Sequence, residues 1–591
     1  MPAKTPVAAH QSLTPWTISV ALVCLGVVAY CSSFRGPFIF DDLAAIRDNP
    51  DFGGASNLQY SSTTLTARPV LWFSFKVDYA LAGQSVEAYH VTNLLIHLTA
   101  GLLLFGIVRR NLMRTQTWGK RFVDSAPWLA GAVAGIWLVH PLTTAAVTYI
   151  VQRAETLAAM FYLLVIYCLI RSADSGRAVV VWSAGTIIAC ALGIMTKETL
   201  ATAPLIALIY DRTFLAGSFA AALKTRRWLY AGLAATWGIL AVVVIQGQGR
   251  GNTIGFNLGI SPIQYALTQL GVIAHYIRLV FWPRGLVLTA TDWPVARHWN
   301  QVGAPGLLVA LLLVATLVAF WKWPRLGFLL AWFFLILAPS SSIVPIVTEI
   351  EADHRAYLPL AGLVALGVVG GWLFAQRWHA TRLLIALAPC VIAILITLTI
   401  LRNNDYQTPT LIWADNVAKR PNAWSAWSGY GQVLGVIALH CPPQSQEQKL
   451  AAARAVPVLR RAFELSPGKY LYLAALNLST MLETAGYEQE SERFDAQLIR
   501  QFPDRSAEMH RRRAEHRLDR RDLDGARADF EAAIAVDPND TEAHYYLGMI
   551  MQATRDYKGA LAQYQRVLQL QPHYRDVDMR LWYIQTPRNG G

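Results

Sequence analysis

A chain of 591 residues that is 54% hydrophobic and 15% charged is too apolar for an ordinary water-soluble fold and long enough for two domains. Its formal net charge of +13 is spread over short loops and one Arg-rich stretch at 511–521, so it reads as membrane topology and points to no nucleic-acid partner. The six cysteines show neither a disulfide framework nor the CxxC spacing of a metal centre.

Apolar runs lie at 16–34, 94–108, 126–142, 156–170, 178–196, 199–210, 229–245, 304–321, 326–347, 356–376 and 383–401. Most approach the ~20 residues that a spanning helix needs. The run 199–210, closed by Asp211, is short. The first run follows a weakly charged leader and lacks a small-residue cleavage site, so a retained helix with a cytoplasmic amino terminus is expected.

Basic loops then set the orientation. Arg109, Arg110, Arg114, Lys120 and Arg121 fill one loop and Lys224, Arg226 and Arg227 another, which places both in the cytoplasm. The segment 266–282 is apolar but carries His275 and Arg278. If it spanned, Lys322 with Arg325 and Arg377 with Arg382 would move to the outer face, so it is expected to be a re-entrant or interfacial helix. The prediction is an all-α transmembrane bundle of about eleven spans over 1–402, followed by an extracytoplasmic domain at 403–591.

Past Arg402 the composition turns polar and alanine-rich, and prolines recur at a fixed interval: Pro538 and Pro572 are 34 apart. Leu547-Gly548, Ala560 and Tyr564 before Pro572 repeat the arrangement of Ala526, Phe530 and Ala533 before Pro538. This is tetratricopeptide (TPR) spacing, in which small residues let paired helices approach. Pro467 and Pro503 are 36 apart, and an insertion surrounds Cys441-Pro442-Pro443, so about four helix pairs are expected. A generic helical solenoid is the plain alternative. Stacked pairs form a concave groove suited to an extended polypeptide.

Charged motifs sit at the ends of the apolar runs. Asp41 and Asp42 follow the first. Arg68-Pro69, Tyr89-His90, His140-Pro141, Gln152-Arg153-Ala154-Glu155, Lys197-Glu198 and Asp353-His354-Arg355 with Tyr357 flank later ones. Acids beside hydrocarbon are costly and mark function, and Lys197 lies on the outer face against the positive-inside tendency. Interfacial anchoring, ion pairing or helix capping would explain any one of these groups. Together they supply what transfer from a membrane-held phosphate ester requires: an acid to take the acceptor proton, and cations to stabilise the departing phosphate.

The ordered set FDD (40–42), RPV (68–70), YHVTNLLIH (89–97), HP (140–141), QRAE (152–155), TKE (196–198), LTQLGVIAHYIRLVFWPRGL (267–286) and DHRAYLP (353–359), followed by TPRs, resembles the transmembrane and TPR-containing O-mannosyltransferases. These belong to the GT-C class of polyprenol-phosphate-sugar glycosyltransferases. The resemblance implies an extracytoplasmic active site with Asp41 or Asp42 as catalytic base and Glu155 orienting the site. Arg153, Lys197, His354 and Arg355 would hold the donor phosphate, with Arg68, His90, His140, Asp353 and Tyr357 as further candidates. It implies a polyprenyl-phosphate-linked sugar as donor, no metal requirement, inversion at the sugar carbon, and an acceptor polypeptide in the TPR groove. The composition favours a bacterial inner membrane with a periplasmic site over an endoplasmic reticulum membrane. The chain departs from the pattern at Thr143 and Ala145, where relatives often carry His or Gln and Glu, and at Asp353, where Glu is more usual. A glycolipid or envelope-polysaccharide acceptor, as in aminoarabinose transferases, and a non-enzymatic TPR scaffold are the competing readings.

Overall fold

The computed structural model describes residues 7–52, 68–246, 254–256 and 259–585. Among these the secondary structure is helical, and the one extended pairing is an isolated antiparallel bridge between Ile254 and Ile346. Two compact units divide the chain, Met1–Ala426 and Trp427–Gly591.

In the first unit every apolar run forms a helix. Among the described residues seven helices are long and apolar enough to cross a membrane, and nine if each of two bent pairs is one span. Val179–Ile194 and Pro324–Leu337 are shorter apolar helices. The helix Pro262–Phe281, which covers the ambiguous segment, is not among the candidate spans.

Local chemistry explains both bends. Between Ala126–Leu138 and Pro141–Thr148 the axis turns by 54°. Pro141 has no N–H to continue the first helix, and the His140 ring caps the new turn by accepting from Leu142 N at 3.1 Å. Glu198–Phe214 and Phe219–Thr225 meet at 108°, across a connection in which Gly217 adopts φ 78°, a conformation that costs glycine little.

In the bundle core, Trp137, Tyr162, Tyr210 and Tyr357 are completely enclosed. Close helix approach replaces the hydrophobic driving force that lipid cannot supply. At Gly327 an added Cβ would stand 2.5 Å from the Phe320 backbone, so this helix pair touches main chain to main chain.

One end of the bundle gathers the basic loops. Arg114 pairs with Asp174 at 2.5 Å, Arg121 donates to Gln376 at 2.8 Å, and Arg325 stacks on Trp118. A cavity of about 840 Å³ opens there, lined by Asn111, Trp118, Lys322, Arg325 and apolar neighbours. The acidic motifs lie at the other ends of the same helices.

The polar composition beyond Arg402 places the domain boundary too early. Helix Pro409–Lys419 belongs to the first unit. Its Asn416 side chain accepts from Leu288 N and Thr289 N at 2.6 and 3.0 Å, and Lys419 donates to Leu286 O at 3.0 Å.

The second unit is a helical array: Trp424–His440 reaches into it, followed by Gln446–Leu465, Gly468–Thr484 with Glu488–Gln501, Ala507–Asp519 with Leu523–Val536, and Thr541–Ala553 with Tyr557–Leu570. A final helix, Val577–Gln585, closes the series. Asp522, Asp540 and Asp556 cap successive helices through Gly525, Ala543 and Gly559 N–H groups. Ala526, Phe530, Ala533, Ala560 and Tyr564 are fully buried, and a Cβ on Gly548 would meet the Tyr564 ring at 2.7 Å. The Arg-rich stretch is neutralised within the array: Arg511 contacts Glu508, Glu515 and Glu542, while Arg513 and Arg517 share Asp529.

Candidate active site

The two adjacent acids differ in exposure and in partners. Phe40 sits at φ 47°, a strained value for a side-chain-bearing residue, with its ring against Trp413 and Tyr149. From there the chain turns Asp42 inward. Its Oδ2 accepts from Ile39 N at 3.1 Å and its Oδ1 from Val151 N at 2.7 Å, pinning the loop to the turn that leads into helix Arg153–Asp174. Burial pushes its carboxyl up to about 8, although both N–H groups pull the other way. Asp41 stays partly exposed, and its own N–H donates to Tyr149 Oη at 3.0 Å. Desolvation, helped by the negative charge of Glu349, pushes the Asp41 carboxyl up to about 6.

Glu349 links Asp41 to the cations. Its carboxylate lies 3.9 Å from Arg355 Nη2 and 4.0 Å from His354 Nε2. His354 Nε2 is also 3.8 Å from Glu155 Oε1, and the same Glu155 oxygen contacts the Lys197 ammonium. Lys197 reaches this position because the helix Val179–Ile194 ends and the chain at Lys197 turns extended, with ψ 136°. Arg68 pairs with Glu198 at 3.1 Å and keeps only 12% of its side chain exposed. Burial, then the positive charges of Lys197, Arg355 and Arg68, hold His354 well below its usual value, so its imidazole is neutral.

Asp41, Glu155, Lys197, His354 and Arg68 therefore share one charged neighbourhood, and Glu349 joins them. Glu349 lies outside the motifs read from the sequence; the acid-rich run Glu349-Ile350-Glu351, two residues before Asp353, is the signal that marks it. Tyr149 carried no signal at all.

Arg153 is placed elsewhere. Its guanidinium is fully enclosed, contacts Asp78 Oδ2 at 2.5 Å, donates to Asn93 Oδ1 at 2.5 Å, Tyr89 O at 3.0 Å and Ser74 O at 3.2 Å, and covers the Phe75 ring at 4.5 Å. With its donors committed, it braces the helices and does not face a phosphate. Arg355 is also largely committed: it donates to the carbonyls of Ser340, Glu349 and Ile350, so it holds the loop that carries Glu349.

The remaining candidates hold protein partners. His90 bonds Gly36 O at 3.0 Å. His140 accepts from Leu142 N, which leaves Nε2 to donate to Val280 O at 3.0 Å. Tyr357 donates to His97 Nδ1 at 2.6 Å, since His97 Nε2 is occupied by Leu138 O at 2.9 Å. Asp353 Oδ2 accepts from Val287 N at 2.8 Å. Thr143 and Ala145, where the chain departs from the resemblance, are buried; Thr143 Oγ1 bonds Tyr30 Oη at 2.7 Å.

Comparison with known proteins adds two findings. The tetratricopeptide repeat family matches residues 541–574. The chain is also similar to the Protein O-mannosyl-transferase TMTC4 of Homo sapiens, 28% identical over 169 residues, which are 26% of this chain and 22% of that protein. Protein O-mannosyl-transferase Tmtc2 of Drosophila melanogaster is 29% identical over 226 residues, 34% of this chain and 22% of the relative. Protein O-mannosyl-transferase TMTC1 of Mus musculus is 28% identical over 180 residues, 28% and 18% of the two chains. The chain thus spans about a fifth of the length of the curated relatives it matches. In sequence it is similar to protein O-mannosyl-transferases, and it carries a tetratricopeptide repeat.

Proposed function

We propose that the first unit is a glycosyltransferase that moves a sugar from a polyprenyl-monophosphate carrier to Ser or Thr hydroxyls of a polypeptide presented by the TPR unit, on the non-cytoplasmic side of a membrane. The observation that carries this reading is the placement of a partly exposed Asp41 in the electrostatic reach of Glu349, which itself lies against His354 and Arg355, with Lys197 and Arg68 beyond. The relatives' designation as protein O-mannosyl-transferases supports a hydroxyl acceptor on protein.

In the proposed reaction the acceptor Oγ attacks the anomeric carbon as the Asp41 carboxylate takes its proton. The bond from that carbon to the phosphate oxygen breaks, and the configuration inverts. Lys197 and Arg68 stabilise the charge that accumulates on the leaving lipid phosphate, and neutral His354 donates a hydrogen bond to it. A carboxylate whose pKa lies near 6 is well matched to this task, because it is ionised at neutral pH yet basic enough to accept a proton. Glu155 orients Lys197. The fixed cations meet a monophosphate leaving group without a metal ion.

The test is reconstitution of the full chain in vesicles with polyprenyl-phosphate mannose labelled in the sugar and a Ser/Thr-rich polypeptide. The expected result is O-linked label on the polypeptide and equimolar release of polyprenyl phosphate. Transfer from a nucleotide sugar but not from the lipid donor would reject the reading.

A further inference from the structure

The segment Ile350–Asp353 runs along helix Pro262–Phe281. Gln269 donates to Ile350 O at 2.9 Å, and Tyr276 Oη both donates to Ala352 O at 2.9 Å and accepts from Ala352 N at 3.0 Å. At this seam His275 from the helix meets Glu351 and Asp353 from the segment. One ligand atom from each of the three lies within 4.8 Å of the others.

Val287 N satisfies one oxygen of Asp353, but no protein N–H or O–H donates to the other three carboxylate oxygens of the pair. Neither oxygen of Glu351 makes a hydrogen bond, and Asp353 Oδ1 makes none, although both residues are buried, with Glu351 1% exposed. One cation, an imidazole partner and an aromatic ring complete the surroundings. Arg420 approaches Glu351 Oε2 at 3.7 Å and Asp292 Oδ1 at 3.8 Å, Arg278 donates to His275 Nδ1 at 3.3 Å, and the Trp293 ring meets His275 edge-on. Buried carboxylate oxygens without partners are rare and costly, and an ion is one of the few things that relieves them.

We infer that His275, Glu351 and Asp353 form a divalent transition-metal site that clamps helix Pro262–Phe281 to the segment leading into His354. One imidazole nitrogen and two carboxylates suit Zn²⁺ or Mn²⁺, whereas Ca²⁺ and Mg²⁺ take oxygen ligands throughout. Binding requires the three atoms, now within 4.8 Å of one another, to close on a shared ion, and His275 Nδ1 to give up its contact with Arg278 so that Nε2 can ligate. The clamp is structural, it uses neither member of the Lys197–Glu155 pair, and it does not depend on the proposed transfer reaction.

The experiment uses tag-free full-length protein in detergent, stripped with a chelator and reloaded with Zn²⁺, Mn²⁺, Mg²⁺ or Ca²⁺, with metal content and thermal unfolding as readouts. The wild type should retain about one Zn²⁺ or Mn²⁺ per chain and gain thermal stability on reloading, with little response to Mg²⁺ or Ca²⁺. Glu351→Gln should weaken retention by at least about 10-fold. His275→Gln, at a half-buried position on the helix surface, serves as the second variant should Glu351→Gln fail to fold, and it should show the same loss. Equal metal retention in wild type and variants, or an unchanged Tm on stripping and reloading, would overturn the site. So would a Glu351→Gln protein more stable than the wild type with and without metal, which would assign a shared proton to the two acids.

Discussion

Lys197 rests its ammonium against the Glu155 carboxylate, joining the break after helix Val179–Ile194 to the first turn of helix Arg153–Asp174. Both side chains are only slightly exposed, at 13% and 11%, so the pair is held in a low-dielectric setting where a phosphate would feel the lysine strongly. Replacing Lys197 with Ala is expected to cut transfer by about 100-fold, comparable to removing one preorganised donor from a transition-state site. Initial rates over a range of donor concentrations check this; unchanged kinetics would remove Lys197 from the site.

Asp42 and Asp41 should respond differently to the same change. In Asp42→Asn the new amide presents NH₂ to one of the two N–H groups, Ile39 or Val151, that the carboxyl now accepts. A loss of about 1–3 kcal/mol of stability is expected, read as a lowered Tm in a thermal melt. An unaltered melt together with abolished transfer would assign Asp42 a chemical role.

Arg153 should behave as a brace. Arg153→Met strands Asp78 in a buried position and is expected to cost about 3–5 kcal/mol, with folded yield and activity falling together. Adding Asp78→Leu removes the stranded charge and should recover much of the folded yield. A well-folded Arg153→Met protein with only a raised donor KM would instead return Arg153 to the phosphate.

The acid limb of the pH profile follows from Asp41. The carboxylate is the reactive form, so transfer should fall about tenfold per pH unit below about 6 and level off towards neutrality. Glu349 raises that carboxyl through its negative charge, so Glu349→Gln should move the limb to lower pH. A limb that stays in place would separate the two acids.

Much of the architecture was legible because it depends on periodicity. Apolar runs and repeat spacing are local properties of the sequence, and each run became a helix. Pairwise commitments were not legible. Asp78 gives no sign that it will occupy Arg153, and nothing near His140 or His90 reveals the carbonyls of Val280 and Gly36 that they meet. Asp353 is claimed by Val287 N although its neighbour His354 faces the site. Polarity also hides the membership of helix Pro409–Lys419, which falls in the first unit because Asn416 and Lys419 satisfy the loop at Leu286–Thr289.

Single-turnover transfer by Asp41→Asn, with donor binding measured on the same preparation, tests the central claim most directly. The account expects donor affinity and Tm close to wild type while the transfer step slows by roughly 10²- to 10⁴-fold. A variant that transfers sugar at the wild-type rate would contradict Asp41 as the base.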